Sequence, residues 1–506
     1  MSRLYRSLRF LILLAILIYI INFLPKTWEQ LQVLPYPGKL TLVLSLFLVI
    51  LFIAISCILI KFKEVELSSK SYWLVISIVL VIAFVWQFIL TKAVNLNIEG
   101  WDPWTIFQWV TGHGEVYPDY FSYNPNNMVT MYFYQFTKMT QNLFGRPLSW
   151  LALSRMNAIV MIIATFLFAY IVRHFLSSLA ALFSVVLFAL YFTWSPLSVV
   201  PYSDTLSLLP ALLAISLLLL AKHYRSHPIS CALLVVVAGF ISAISYYTKA
   251  SSVIFLIAFI GAILMTLLRK SKIGLKQCSL LLLLVIGFVG GFYTIKQVNQ
   301  SQTLVTFNRS LATPMTHYLA IGASEKGWWN QPDQDFTRSF SSYQERSQKN
   351  MDKYVQRVND RGINGYIDFL KYKNGLTFND GTLGWYEEGG GKVVENTPSK
   401  DKSNQNSLRQ LLYGQGAKTP VVKYLAQVLW IILWLLIVGS LLRLLSKKTQ
   451  SRATDWMLLT VLGGFIFLSL FESGRGRYVI QFLPYYFILA GFLFNNFKEQ
   501  TKKDTR

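Results

Sequence analysis

Ionisable side chains at the ends of apolar runs are costly beside a bilayer, so the few that occur there are the first candidates for chemistry. Asp102 sits in Glu99-Gly-Trp-Asp-Pro-Trp104, Asp204 in Pro201-Tyr-Ser-Asp-Thr205, and Lys249 in Tyr246-Tyr-Thr-Lys-Ala250. Glu472, Arg475 and Arg477 crowd into Phe471-Glu-Ser-Gly-Arg-Gly-Arg-Tyr478. A carboxylate in such a set can take a proton from a hydroxyl. Arginine offers planar, paired contacts to a phosphate and lysine a point charge. Fixed cations also stabilise a leaving group that gains negative charge. One reaction uses all of these at a membrane surface: transfer of a sugar from a polyprenyl phosphate, whose tail lies in lipid, to an acceptor hydroxyl. On that reading Asp102 is the base, and Lys249, Arg475 and Arg477 hold the donor phosphate.

The elements that must position these residues are membrane helices. The chain is 54% hydrophobic with a mean hydropathy of +0.44. Its apolar residues come in continuous runs, which only helices can carry across lipid without alternation. The first run, Leu11 to Leu24, follows Arg3, Arg6 and Arg9 and lacks a small-residue cleavage site before Pro25 and Lys26, so it reads as an uncleaved anchor. Further runs lie at about 40–60, 72–92, 149–172, 176–196, 204–221, 229–247, 252–268, 277–295, 421–443, 455–471 and 478–495, twelve in all. The expected fold is an all-α polytopic membrane protein with about 12 transmembrane helices and two long extracytoplasmic loops. Residues 1–295 form an N-terminal module of nine spans, 296–420 a large loop, and 421–506 a C-terminal module of three spans.

Charge sets the orientation. With the N-terminus cytoplasmic, the short cytoplasmic loops carry Lys61, Lys63 and Lys70, then Arg173, then Lys222 and Arg225, then Arg269, Lys270, Lys272 and Lys276, then Arg443, Lys447, Lys448 and Arg452. The tail adds Lys498, Lys502, Lys503 and Arg506. This is the positive-inside pattern. It places both termini in the cytoplasm of a multi-pass cell-membrane protein and the candidate site outside. The long loops, about 93–148 and 296–420, then face outward. The first holds amphipathic stretches at Pro103–Thr111 and Met128–Leu143, suited to lying on the membrane. The second has loops at Gly389–Gly391 and Ser399–Ser407 and a helix around Ser342–Asn359. The net charge of +23, from 47 Lys+Arg against 24 Asp+Glu, is thus explained by topology and does not call for nucleic acid. Cys57, Cys231 and Cys278 lie in or beside apolar runs and make no disulfide framework or metal motif.

Each candidate also has a structural reading. Asp102 before Pro103 suits a helix N-cap, and Asp204 suits a cap for the following span. Lys249 could snorkel, Glu472 and Arg475 could close a turn as an ion pair, and Arg477 could anchor the interface. Asn126 and Asn127 suit turns, and His317 suits a structural hydrogen bond. Arg155 could pair with Asp102, bind phosphate or sit at the interface. Trp101, Trp104, Trp328 and Trp329 fit an aromatic belt or a platform for a sugar ring.

The order of the pieces resembles the GT-C glycosyltransferases, in the branch similar to protein O-mannosyltransferases and bacterial lipid A aminoarabinose transferases. Asp102 occupies the place of that superfamily's first-loop acidic base. Tyr123-Asn-Pro-Asn-Asn127 resembles an element of Gram-positive members, and Pro201-Tyr-Ser-Asp204 an acidic outer-turn motif that brings Tyr202 with Asp204. Lys249 resembles a "KA" lysine, and Glu472 with Arg477-Tyr478 an "E…RY" motif before the last helix. Thr313-Pro-Met-Thr-His317 and Asn379-Asp-Gly-Thr382 look like elements of the Gram-positive subgroup. The paired acids of many relatives are here Glu99 and Asp102, three apart, which leaves a divalent cation at Asp102 and Asp204 an open question. No large polar segment follows the last run, which speaks against an oligosaccharyltransferase.

The resemblance implies an inverting transferase of the cell envelope. Its donor is a polyprenyl-phosphate sugar, supplied by an upstream polyprenyl-phosphate glycosyltransferase and flippase. Its acceptor is a wall polysaccharide, a teichoic acid or a protein. Supporting roles fall to Asp204, Tyr202, Glu472, Tyr478, Tyr123, Asn126, Asn127, His317 and Arg155. Two other classes stand beside it. A lipid-linked sugar transporter or flippase would place ionisable groups at mid-bilayer, whereas here the helix interiors lack acids and bases. A non-catalytic envelope-assembly scaffold would not need Asp102, Lys249 and Arg477 to converge.

Overall fold

The structure, a computed structural model, describes residues 3–34, 38–94, 101–268, 274–385, 407–412, 416, 418–446 and 451–496. Glu99, the loops at Gly389–Gly391 and 399–406, the basic residues 269–272 and 447–448 and the tail lie outside the described residues. Among those described there is no strand. In chain order the helices are α1 (Arg3–Val33), α2 (Lys39–Lys61), α3 (Ser69–Val94), α4 (Trp101–Thr111), α5 (Tyr120–Tyr123), α6 (Met128–Asn142), α7 (Trp150–Phe175), α8 (Ser178–Phe188), α9 (Ser203–Leu206) and α10 (Leu208–His223). There follow α11 (Pro228–Thr248), α12 (Ile254–Leu268), α13 (Leu275–Ser301), α14 (Met315–Gly322), α15 (Gln331–Arg338), α16 (Tyr343–Phe378), α17 (Ser407–Leu412), α18 (Thr419–Ser446), α19 (Arg452–Phe471) and α20 (Leu483–Gly491).

Ten of the helical segments are long and apolar enough to cross a membrane. The expectation of about twelve is corrected at two places. The run at 176–196 gives α8, then a π-helical turn Ala189–Thr193 and a 3-10 turn Pro196–Val199. The run at 478–495 gives a 3-10 segment Gly476–Phe482 and then the nine-residue α20. Such irregular backbone survives in an apolar bundle only where protein groups satisfy it. They do so here. Gln87 Nε2 donates to Thr193 O (2.5 Å), Trp86 Nε1 to Trp194 O (3.0 Å), Ser154 Oγ to Val199 O (2.6 Å), and Asn157 Nδ2 to Ser198 O (2.6 Å) and Val200 O (3.1 Å). Every residue of α20 is buried. By contrast, α2 fully buries only Thr41, Ser45 and Phe52 and shows most of its apolar side chains outward. That is the pattern of a lipid-facing helix. The α11–α13 pair packs backbone to backbone. A Cβ at Gly239 would stand 2.3 Å from Leu284 O, and one at Gly287 2.1 Å from Val236 O.

In the first long loop α4 and α6 fall close to the expected stretches. Phe136 and Met139 on α6, and Leu143 and Phe144 just after it, are exposed, as an interfacial helix requires. In the second, the helix expected around Ser342–Asn359 starts with Ser342 as N-cap, its Oγ accepting from Glu345 N at 3.1 Å. It then runs much further, to Phe378, with one break at Gly362 (φ 63°). The last turns of α16 enter the bundle. Phe378 is buried against Phe23, Trp434 and Phe465, and Trp430 Nε1 donates to its carbonyl at 2.7 Å. Ser469 Oγ donates to Asn374 Oδ1 at 2.7 Å. A segment that reads as an external loop therefore supplies part of the core.

At the end of the bundle away from these loops, Asp455 on α19 accepts from Tyr5 (2.8 Å) and lies 3.5 Å from Arg9 on α1. Both lie near the ends of their helices, Asp455 in the first turn of α19 and Arg9 before the first apolar run. This buried pair ties the first helix to the last long one.

Candidate functional site

The loop face brings the dispersed charges together. Asp102 lies in the first turn of α4, and its carboxylate is not spent on a cap. Tyr120 OH donates to Oδ1 and Tyr202 OH to Oδ2, both at 2.6 Å. Asn127 Nδ2 donates to Tyr120 OH at 2.6 Å, which orients that phenol toward the acid. Burial, and then the adjacent Asp102, push the Tyr120 phenol far above its ordinary range. Burial raises Tyr202 as well, against a downward pull from Arg477. Both phenols therefore stay protonated and act as donors, holding Asp102 as an oriented acceptor. Trp101, at φ 62°, leads into the acid from left-handed backbone, a strained position for a side-chain-bearing residue. The Arg475 guanidinium lies 5.7 Å from the centroid of its ring.

Asp204 is buried at the start of α9, and it too is not a simple cap. It pairs with Lys249, lies 3.5 Å from Arg477, and accepts from Gln481 Nε2 at 2.9 Å. Lys249 Nζ stands over the Tyr478 ring (4.3 Å). The Arg477 guanidinium stands over Tyr202 (4.3 Å) and Tyr478 (5.2 Å). Burial works against the Lys249 charge, but Asp204 and then Glu472 outweigh it and hold the ammonium above its usual value. Burial raises the Glu472 carboxyl, while Lys249 opposes the shift. Glu472 makes no ion pair or hydrogen bond to a described residue. A continuous chain of contacts thus runs Asp102, Tyr202, Arg477, Asp204, Lys249, Tyr478.

Other expected residues are placed elsewhere. The Tyr123 backbone carbonyl accepts from Thr313 N at 3.1 Å and its ring lies under Arg338 (4.6 Å), so it joins the two long loops. Asn126 is exposed in the 3-10 turn Pro125–Asn127. His317 is buried against Thr337 (2.7 Å), away from Asp102. Burial lowers its pKa to about 4, so it is neutral at neutral pH. Arg155 stacks on Phe88 at 4.2 Å and does not meet Asp102. As for a metal, Tyr202 and Arg477 stand between Asp102 and Asp204, and both carboxylates are engaged by other groups. Among the described residues no three of His, Cys, Asp and Glu are grouped to hold an ion.

Three participants escaped the sequence reading. Tyr120 carries no pattern that marks it among many tyrosines. Gln481 was legible, being a lone amide in the apolar run after Tyr478. Tyr318 is half-buried, and its phenol is raised by desolvation and then by Glu472, Asp102 and Tyr478.

A small cavity of 30 Å³ borders Tyr202, Asp204 and Arg477. It shares the walls Leu197, Leu383 and Trp385 with an apolar cavity of 190 Å³ that reaches Tyr191, Trp194, Leu425 and Leu429 on the other side. Two of the shared residues, Leu383 and Trp385, belong to a turn fixed by Asp380, whose carboxylate accepts from Thr382 N (2.8 Å) and Gly384 N (2.9 Å). Asn379-Asp-Gly-Thr382 thus builds the partition between the two spaces.

These features define an all-helical, multi-pass integral membrane protein with a charged cluster on the face that bears its long loops. The chain belongs to the family described as conserved hypothetical integral membrane proteins, whose model matches residues 5–498. No curated protein and no solved structure matches it.

Proposed function

We propose that the protein is a GT-C-like glycosyltransferase that moves a sugar from a polyprenyl-phosphate donor to an acceptor hydroxyl at the outer face of the cell membrane, with both termini in the cytoplasm. The observation that carries the reading is the shared wall between the apolar cavity and the pocket of Arg477 and Asp204. An amphiphile with an anionic head and an apolar tail fits that pairing, and a water-soluble nucleotide donor does not use it. Asp102 takes the proton of the acceptor hydroxyl. The acceptor oxygen forms its bond to the anomeric carbon as the carbon–oxygen bond to phosphate breaks, with inversion. The bonding pair leaves on the phosphate, which gains a charge beside Lys249, Arg475 and Arg477. Lys249, Arg475 and Arg477 stand against Asp102, Asp204 and Glu472, and burial, which raises the Glu472 carboxyl, weakens that acid's opposition to a phosphodiester.

The test has two arms. A deletion strain and its parent are compared for wall and protein glycans, and Asp102→Asn is returned to the deletion strain. The expected result is a missing sugar that wild type restores and Asp102→Asn does not, at equal expression. Restoration by Asp102→Asn removes the base assignment, and identical glycans in the two strains remove the reading.

A further inference from the structure

Lys373, on the part of α16 that descends into the bundle, is 1% exposed, and the mechanism above does not use it. It threads a slot between backbone segments. A Cβ at Gly322 would stand 3.0 Å from its Nζ, and Cβ atoms at Gly474 and Gly327 would stand 3.3 and 3.4 Å from its Cγ. Gly322 ends α14, Gly327 lies in the turn after it, and Gly474 sits between Glu472 and Arg475. Gly474 N donates to Gly327 O at 2.7 Å. One side chain therefore fills the seam between the second long loop and the turn that carries Arg475 and Arg477.

Lys373 Nζ donates to Gly322 O at 2.8 Å and makes no other hydrogen bond or ion pair with a described residue. An ammonium has three donors to satisfy. One acceptor in a buried slot suits the neutral amine. Burial depresses the lysine to about 7, with Glu472 opposing the shift and Arg361, from the same helix, adding to it.

We propose that Lys373 is a positioning residue that docks the second long loop on the Glu472–Arg477 turn as a neutral amine, so that docking releases a proton. An undocked, solvated lysine keeps its proton to about pH 10.4. Docking is therefore strengthened as pH rises from 7 toward 10 and sits at its weakest level below 7. The other groups around the seam are few. Glu472 and Arg361 act on Lys373 directly. His317 on α14 titrates at about 4, and its neighbour Tyr318 is pushed well above the ordinary phenol range. That docking aligns the phosphate cations rests on the proposed function. The docking equilibrium itself does not.

The experiment is hydrogen–deuterium exchange on the full chain in lipid nanodiscs at pH 6 and pH 9, corrected for intrinsic exchange and needing no sugar donor. In the wild type, segments 315–330 and 470–480 should be on the order of 100-fold better protected at pH 9. Lys373→Met should be flat across that range. Lys373→Arg, which cannot shed its charge, should leave the seam open at both pH values. Flat protection in wild type overturns the proposal, as does restored docking by Lys373→Arg. So does a pH dependence that disappears in Glu472→Gln but persists in Lys373→Met. The wild-type and Glu472→Gln arms require no Lys373 variant to fold.

Discussion

Replacing Asp204 by Asn should destabilise the protein more than any other single change in the cluster, because it removes the carboxylate that faces two largely buried cations. The side chains of Asp204, Lys249 and Arg477 are 3%, 12% and 14% exposed, so screening by water is slight. At 3.5 Å and an effective dielectric of about 20, the Arg477 pair alone has a gross Coulomb energy of roughly 5 kcal/mol. Desolvation offsets much of that, and deleting one partner of a buried pair typically costs about 3–5 kcal/mol. Asn keeps an oxygen that can still accept from Gln481 or Lys249, so the lower end, about 3 kcal/mol, is expected. The assay is thermal unfolding in detergent, with Lys249→Met and the double variant beside it. Asp204→Asn should melt several degrees lower. The double variant should be milder than the sum of the singles by about 2 kcal/mol, since removing Lys249 relieves part of the stranded charge. Unchanged melting for Asp204→Asn, or strict additivity, would refute the claim that this aspartate is held by its cations.

Other expectations follow from single contacts. His317 has its pKa lowered to about 4, so the folded loop resists charging it; stability should be full above pH 6.5 and fall by about 3 kcal/mol as pH drops toward 4, and His317→Gln should flatten that slope in a melting series. Leu425→Trp, which fills the apolar cavity, should raise KM for a lipid-phosphate donor about tenfold with kcat little changed; an equal fall in kcat alone would place the tail elsewhere.

Continuous apolar runs were enough to read most of the fold, because a lipid-facing helix such as α2 has no other way to satisfy its backbone. The two runs that did not become long helices are the two most enclosed by protein. For 176–196 the rescue of broken backbone comes from Gln87 and Asn157, 106 and 41 residues away, and no local window shows such partners. The descent of α16 into the bundle was hidden for a similar reason. Residues 366–378 look mixed and polar, yet Lys373 and Asn374 each find a specific partner inside.

At the site the residue types were readable and their pairings were not. The sequence supports a base and a set of cations, and it suggests that Lys249 and Arg477 stand ready for an external phosphate. In the structure both are engaged with Asp204, so under the proposed transfer a bound phosphate would have to share them. That arrangement has a chemical logic. An aspartate locked between two cations fixes their positions before any ligand arrives, which under the proposed transfer would remove reorganisation from the step in which the leaving group gains charge. It also lowers their affinity for ground-state anions. The gain is then concentrated where the phosphate charge grows, and it depends on Asp204 staying ionised between Lys249 and Arg477, not on the number of cations present.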